Sequence, residues 1–82
     1  MKADRGLKTS DGYPVEIGGI YWDYNFRASK VLGVSAVYYD SDGTPCTWWK
    51  TTGGLFDGDR LRLRDEGKLA SDVYVEKGTD ND

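Results

Sequence analysis

The sequence predicts an all-β fold, a small five-stranded SH3-like barrel, and three observations indicate it. Turn-forming pairs recur at short intervals along the chain: Asp11-Gly12, Gly18-Gly19, Asp42-Gly43, Gly53-Gly54 and Asp57-Gly58. The runs between these pairs are rich in Val, Ile, Tyr, Trp and Thr, which is typical of short strands. No window shows the 3.6-residue apolar period of a helix. An open antiparallel sheet that dimerises to cover one face is the alternative architecture.

The first β-prone run covers residues 15–23, VEIGGIYWD. Val15 and Ile17 alternate to one side, and the glycine pair that follows permits a bulge or a sharp bend. Ile20 and Trp22 are expected to alternate into the core at the end of this strand.

The second run, residues 30–39, is the longest and is apolar on both faces. That pattern predicts a central, strongly bent strand. Asp42-Gly43 then supplies the positive φ angles of a hairpin turn, and residues 46–52 are the antiparallel partner. Trp48 and Trp49 are adjacent in this partner strand, so they point to opposite faces and only one can enter a one-sided core.

The remaining two predicted strands are residues 60–64, RLRLR, and residues 72–77, DVYVEK, with residues 53–59 as a loop before them. In RLRLR the two leucines are expected to point inward, and the three arginines to point outward as a stripe. In the last strand Val73 and Val75 are expected to point inward.

The ends of the chain differ from its middle in composition. Residues 1–10 are polar and unpatterned and are expected to be a flexible N-terminus, residues 11–77 form the single domain, and residues 78–82 form a disordered acidic tail. Residues 1–64 carry nine basic and eight acidic groups, whereas residues 65–82 carry two basic and six acidic groups. The body is therefore close to neutral, and the overall charge of −3 comes from the C-terminal end.

Composition also limits the chemistry. There is no histidine and only one cysteine, so neither a Ser/His or Cys/His nucleophile pair nor the usual zinc ligand sets can form. The pairs Asp40/Asp42 and Asp57/Asp59 lie beside glycines, where aspartate commonly stabilises turns. We expect no cofactor, no metal and no enzymatic activity. The sequence has no secretory signal and no apolar run long enough to span a membrane, and its lone thiol fits a reducing cytoplasm.

A family resemblance covers about residues 9–64. The string TSDGYPVEIGGIYWDYNFR, a valine-rich strand, WWKTTGG and LFDGDRLRLR resemble small actinobacteriophage (mycobacteriophage-type) proteins of unknown function with a DG…WDYN…WW…DG.RL pattern. The resemblance implies a phage origin and the cytoplasm of a bacterial host. It implies no activity.

The sequence favours a non-catalytic binding module. A domain of this size cannot bury all eleven aromatic rings, and Tyr, Trp and Arg are enriched in interface hot spots. We expect a protein partner from the host or the phage, or a second copy of the chain, to be bound through six residues: Tyr24, Phe26, Arg27, Trp48, Trp49 and Arg62. Packing of the surplus aromatics over loops is the structural alternative. A barrel that binds nucleic acid through Arg60, Arg62 and Arg64 is the functional alternative, although the body has no broad basic field.

Overall fold

A computed structural model describes residues 3–76 of the chain. Its strands are β1 (Ile20–Trp22), β2 (Ala28–Tyr39), β3 (Pro45–Thr51), β4 (Gly54–Asp57), β5 (Arg64–Asp65) and β6 (Lys68–Leu69). The first four form one antiparallel sheet in the order β1-β2-β3-β4, which curls into a half-barrel, and β5 and β6 form a small second sheet. Two short 3-10 turns, Gly58–Arg60 and Ala70–Asp72, are the only helical elements in the described part. The prediction of an all-β fold is confirmed.

The β2–β3 hairpin is the centre of the sheet. Its turn lies at the predicted residues, and the Asp40 N–H donates to the Thr44 carbonyl oxygen at 3.0 Å. Positive φ angles were expected of both Asp42 and Gly43, but only Gly43 has one, φ 85°. Two register shifts in β2, between Val31 and Gly33 and between Val34 and Ala36, accompany the predicted bend.

The apolar core lies inside the curl of this sheet. It is built from six buried residues, with Leu63 packed partly buried against them: Val15, Tyr21, Val31, Trp49, Phe56 and Leu61. Trp49 is 5% exposed, whereas Trp48 on the opposite face of β3 is only half-buried. One tryptophan therefore enters the core and the other does not, as the alternation of a strand requires.

The prediction that Ile20 and Trp22 enter the core is wrong. In β1 the buried residue is Tyr21, which lies opposite the buried Ser29 of β2, and its two neighbours are half-buried. The Tyr21 hydroxyl donates to the Pro14 carbonyl oxygen at 3.0 Å and accepts from the Glu16 N–H at 2.9 Å. These bonds satisfy the polar end of a buried ring. Ile17, expected on the same side as Val15, is exposed because the chain turns at Gly18 before β1 begins.

The predicted strand over residues 60–64 is also wrong. Gly58–Arg60 is a 3-10 turn, Arg62 forms one isolated bridge with Trp22, and Arg64 begins β5. The inward position of Leu61 is confirmed, since it is fully buried. Within this turn Gly58 lies against the N-terminal segment, since a Cβ on Gly58 would be 2.2 Å from the Lys8 carbonyl oxygen.

Two further differences concern the C-terminal half. Residues 53–59, expected to be a loop, contain β4. The strand expected over residues 72–77 is not formed in the described part of that range, residues 72–76. Ala70–Asp72 is a 3-10 turn, and Val73 and Val75 are exposed rather than inward. Lys77 and the predicted acidic tail lie outside the described residues.

The described residues of the N-terminus, 3–10, lie along the sheet, which differs from the expected flexible end. The Asp4 carboxylate accepts hydrogen bonds from the Thr47 N–H and hydroxyl and from the Gly6 N–H. The Arg5 N–H donates to the Pro45 carbonyl oxygen at 2.9 Å. The segment is attached through polar bonds rather than apolar side chains, which is why its composition gave no sign of order.

Candidate functional site

The site begins at the loop between β1 and β2, residues 23–27, whose tip is the three residues 24–26. Asp23, which is buried, holds this loop: one of its carboxylate oxygens, Oδ1, accepts the Asn25 N–H at 2.8 Å and the Arg27 N–H at 3.1 Å. The Asp23 N–H also donates to the Arg27 carbonyl oxygen, and the Phe26 N–H to the Asp23 carbonyl oxygen. Four hydrogen bonds on one residue fix the shape of the loop and leave its side chains directed outward.

Phe26 occupies an unfavourable place in this loop. Hairpin loops of three residues end on a left-handed residue, usually glycine, because a Cβ is strained there. Phe26 has φ 62° and its residue surface is 69% exposed. A large aromatic ring is therefore displayed to solvent from a backbone conformation that disfavours it.

Arg60 lies beside the loop, at the end of the first 3-10 turn. Its Nη1 forms an ion pair of 2.8 Å with Oδ2 of Asp57, whose side chain is almost fully buried. Its guanidinium carbon lies 5.1 Å from the centre of the Trp48 ring and 5.9 Å from that of Tyr24. The carboxylate fixes one edge of the guanidinium, and the two rings lie within cation–π distance of it.

Arg62, like Arg60, is paired with an aspartate and lies near an aromatic ring. Its guanidinium carbon lies 5.4 Å from the centre of the Phe26 ring, and Nη1 pairs with Oδ1 of Asp65 at 2.9 Å. Tyr38 extends the group at its far end, since its ring meets Trp48 edge-on with ring centres 6.2 Å apart. These residues form what we call the aromatic–arginine surface: Tyr24, Phe26, Tyr38, Trp48, Arg60 and Arg62.

Arg60 separates two shallow depressions in this surface. One, of about 200 Å³, lies between Arg60, Arg62, Tyr24 and Phe26, with Asp23 at its base. The other, of about 250 Å³, lies between Arg60, Tyr38 and Trp48. Their size suits single side chains of a partner rather than a whole cofactor, since ligand pockets are about 300–1,000 Å³.

The structure brings together four of the six residues predicted for the site: Tyr24, Phe26, Trp48 and Arg62. Trp49 is part of the core, where its indole N–H donates to the Gly6 carbonyl oxygen. Arg27 lines a different depression, next to residues 73–76. Sequence reasoning about a protein-binding site missed Arg60 and Tyr38; Arg60 was visible only as a member of the RLRLR stripe.

That stripe does not exist as a strand face, because residues 60–64 are not extended together. Arg60 and Arg62 are each paired with an aspartate, and the Arg64 Nη1 donates to the Gly67 carbonyl oxygen at 3.4 Å. Asp59 also lies at the first depression. The arginines are thus accompanied by carboxylates and do not present a continuous basic strip.

Cys46, the one thiol of the chain, is buried next to the second depression. Burial, followed by the hydrogen bond that its Sγ donates to Asp57 Oδ2 at 3.4 Å and the charge of that carboxylate, raises the pKa of Cys46 to about 11. A thiol with such a pKa is protonated at neutral pH and is a poor nucleophile.

Between residues 3 and 76 no three His, Cys, Asp or Glu side chains are grouped so that they could hold a metal ion. No helix in that part of the chain is long and apolar enough to cross a membrane.

Comparison with known proteins gave no relative: no family model, curated protein or solved structure matches this chain significantly.

Proposed function

We propose that this chain is a non-catalytic, SH3-like binding module encoded by a bacteriophage, and that it acts on a protein in the cytoplasm of the bacterial host. The partner docks on the aromatic–arginine surface. The phage origin and the location rest on the sequence pattern described above. The binding role rests on the site.

The main support for the proposal is the exposed ring of Phe26 on a left-handed backbone. A left-handed backbone costs a residue with a Cβ roughly 1–2 kcal/mol, and an exposed ring gives little packing energy in return. Strain of this kind concentrates at functional positions. Asn or Gly at this position would form the loop with less strain. A phenylalanine here is therefore explained if its exposed ring is needed for binding.

The arginines indicate what the partner presents. Asp57 and Asp65 occupy one edge of Arg60 and of Arg62, so the guanidinium groups are oriented before binding occurs. Such preorganisation reduces the entropy lost on docking. Beside aromatic rings that anchor an apolar group, these N–H groups suit a partner carboxylate or backbone carbonyl.

The test compares Phe26→Asn with Ile17→Asn. Ile17 is 66% exposed, similar to Phe26, but lies outside the aromatic–arginine surface. Tagged wild-type protein and both variants are used to capture proteins from a mycobacterial lysate, with and without nuclease. We expect a specific protein to be retained by the wild type and by Ile17→Asn, to be lost with Phe26→Asn, and to be unaffected by nuclease.

The captured protein is then purified and its dissociation constant is measured. We expect Phe26→Asn and Arg62→Gln each to weaken binding at least about tenfold, which corresponds to 1.4 kcal/mol. Equal affinity of Phe26→Asn and wild type contradicts the proposal. Capture that disappears with nuclease and weakens steeply with salt supports the nucleic-acid alternative instead.

Stability measurements separate binding from folding. Phe26→Asn relieves backbone strain and removes one exposed cation–π contact worth about 0.5–1 kcal/mol. We therefore expect its free energy of unfolding to lie within about 1 kcal/mol of wild type. Any loss of binding is then a property of the surface.

A further inference from the structure

A third depression is larger than the two in the aromatic–arginine surface, with a volume of about 450 Å³. We call it the Arg27 depression. It is lined by residues 27–28, 52–53 and 73–76, and the buried Asp23 lies at its base. Only Asp23 is shared with the other two depressions. The volume falls within the range of about 300–1,000 Å³ that is usual for small-molecule sites.

The base of the Arg27 depression contains a carboxylate oxygen without a hydrogen-bond partner. Asp23 is 1% exposed, and its Oδ1 accepts two backbone N–H groups of the loop. Its Oδ2 accepts no hydrogen bond from any residue between 3 and 76, and Asp23 forms no ion pair with that part of the chain. A buried carboxylate is costly unless both oxygens are satisfied. The missing donor therefore comes from outside the described chain, as water or as a ligand.

Gly53 leaves room beside this oxygen. A Cβ on Gly53 would lie 2.5 Å from Oδ2 of Asp23 and 3.4 Å from Cβ of Ser29, whose Oγ is also buried without a partner in residues 3–76. Oδ2 is closed to bulk water, so a donor reaches it when Gly53, which has no side chain to displace, shifts slightly. A primary ammonium group suits this position, because it is small, positively charged and donates three hydrogen bonds.

The rim of the depression carries the opposite charge. Arg27 is exposed, and its guanidinium group forms no ion pair with any residue of the described range 3–76. The other charged residue of the lining, Glu76, is already paired, since its Oε1 lies 3.5 Å from Nζ of Lys30. Arg27 therefore offers its N–H groups to a carboxylate of the ligand.

One wall of the depression is apolar. Val73 is 40% exposed and Val75 is 74% exposed, and Tyr74 lies half-buried between them. Small-molecule sites combine such apolar walls with a few polar groups that fix the orientation of the ligand. A ligand that covers the two valines gains the burial that they lack in the protein alone.

We propose that the Arg27 depression binds a free amino acid with an apolar side chain. The ammonium group lies at Asp23, the carboxylate at Arg27, and the side chain along Val73 and Val75. A neutral apolar molecule leaves both charges without a partner, and a dicarboxylate brings a second negative charge towards Asp23 and Glu76. This proposal is independent of protein binding on the aromatic–arginine surface.

Nuclear magnetic resonance of the ¹⁵N-labelled full chain tests the proposal with three probes: L-leucine, N-acetyl-L-leucine and L-leucinamide. We expect L-leucine to give saturable shifts of the Arg27, Gly53 and 73–76 amide signals, with a dissociation constant below about 10 mM. The acetyl group removes the ammonium charge and the amide removes the carboxylate, so each should weaken binding at least about tenfold. Equal binding of N-acetyl-L-leucine contradicts the proposal and assigns the depression to a peptide C-terminus.

Two variants test the residues. Arg27→Gln should weaken L-leucine binding at least about tenfold, whereas Arg64→Gln, the same change at an exposed arginine outside the depression, should leave it unaltered. Asp23→Asn removes the negative charge and keeps Oδ1 as the acceptor for the loop, so it should also weaken binding. Circular dichroism checks that each variant is folded, and the two lining variants guard against the loss of either one.

Three results overturn the proposal. They are the absence of saturable shifts with L-leucine, which means that the depression holds water only, saturable shifts confined to residues outside the depression, and wild-type affinity in both Arg27→Gln and Asp23→Asn. Phe26→Asn, which tests protein binding, should leave L-leucine binding unchanged. Failure of one proposal is therefore distinguishable from failure of the other.

Discussion

The indole N–H of Trp49 donates to the carbonyl oxygen of Gly6 at 2.7 Å, inside the protein. This bond joins the N-terminal segment to the largest ring of the core. Gly6 itself approaches so closely that a Cβ there would lie 2.0 Å from the Thr47 carbonyl oxygen. The N-terminal segment is therefore part of the folded unit.

Trp49→Phe is expected to be strongly destabilising. It removes the hydrogen bond and leaves the buried Gly6 carbonyl oxygen without this partner, at a cost of about 1–3 kcal/mol, and it also leaves a space in the core. Trp48→Phe, on the half-buried outer face, should cost much less. Urea denaturation of both variants measures the difference; equal costs would contradict the distinct roles given to the two tryptophans.

Gly53→Ala is expected to destabilise the protein by about 1–3 kcal/mol, because overpacking forces neighbouring groups to move. A Cβ on Gly53 would lie 2.5 Å from Oδ2 of the buried Asp23 and would push on the residue that fixes the loop. Gly33→Ala is the control, since a Cβ there meets nothing within 4 Å. Thermal denaturation should show a lower midpoint for Gly53→Ala only.

Acidification should weaken the attachment of the N-terminal segment. Burial pushes the pKa of Asp4 upward, but the hydrogen bonds from Thr47 and Gly6 outweigh this effect, so the pKa lies below the ordinary value of 3.8. A carboxylate with a lowered pKa stabilises the fold at pH values above 3.8, and this contribution is lost as pH falls through the lowered pKa.

The free energy of unfolding, measured by denaturant titration, should therefore decrease below about pH 4. Asp4→Asn should be less stable than wild type at neutral pH and should show a smaller acid-dependent decrease. An unchanged acid response in Asp4→Asn would show that this carboxylate does not hold the segment.

Cys46 should resist thiol reagents in the folded state. With its pKa raised to about 11 by burial and by Asp57, very little thiolate is present at neutral pH, and the sulfur is buried as well. Labelling by a chromogenic disulfide should be slow in native protein and fast in denaturant. Rapid labelling of native protein would contradict the buried, protonated state.

Sequence patterns predicted the parts of the fold that depend on local alternation. The β2–β3 hairpin, its Asp42-Gly43 turn and the opposite facing of Trp48 and Trp49 follow from neighbouring residues. Tyr21 could not be recognised as core because its hydroxyl finds partners at Pro14 and Glu16, which no periodicity reveals.

The candidate site was predictable only in part, for a similar reason. Tyr24 and Phe26 were predicted as binding residues, and the loop that displays them is one that aspartate and asparagine, here Asp23 and Asn25, commonly form. Arg60, in a 3-10 turn, joins the surface through Trp48 of β3 and Asp57 of β4. Contacts between distant segments leave no signature in a local pattern.

The bonds that Asp23 makes to the loop all end on backbone atoms of Asn25, Phe26 and Arg27. None of them uses the side chains of residues 24–26. The side chains at the loop tip can therefore change while the hairpin keeps its shape, so the residues proposed for binding are separate from the residue that fixes the loop. Under the proposed function, a lineage that meets a changing partner can alter its specificity at these positions without losing the domain.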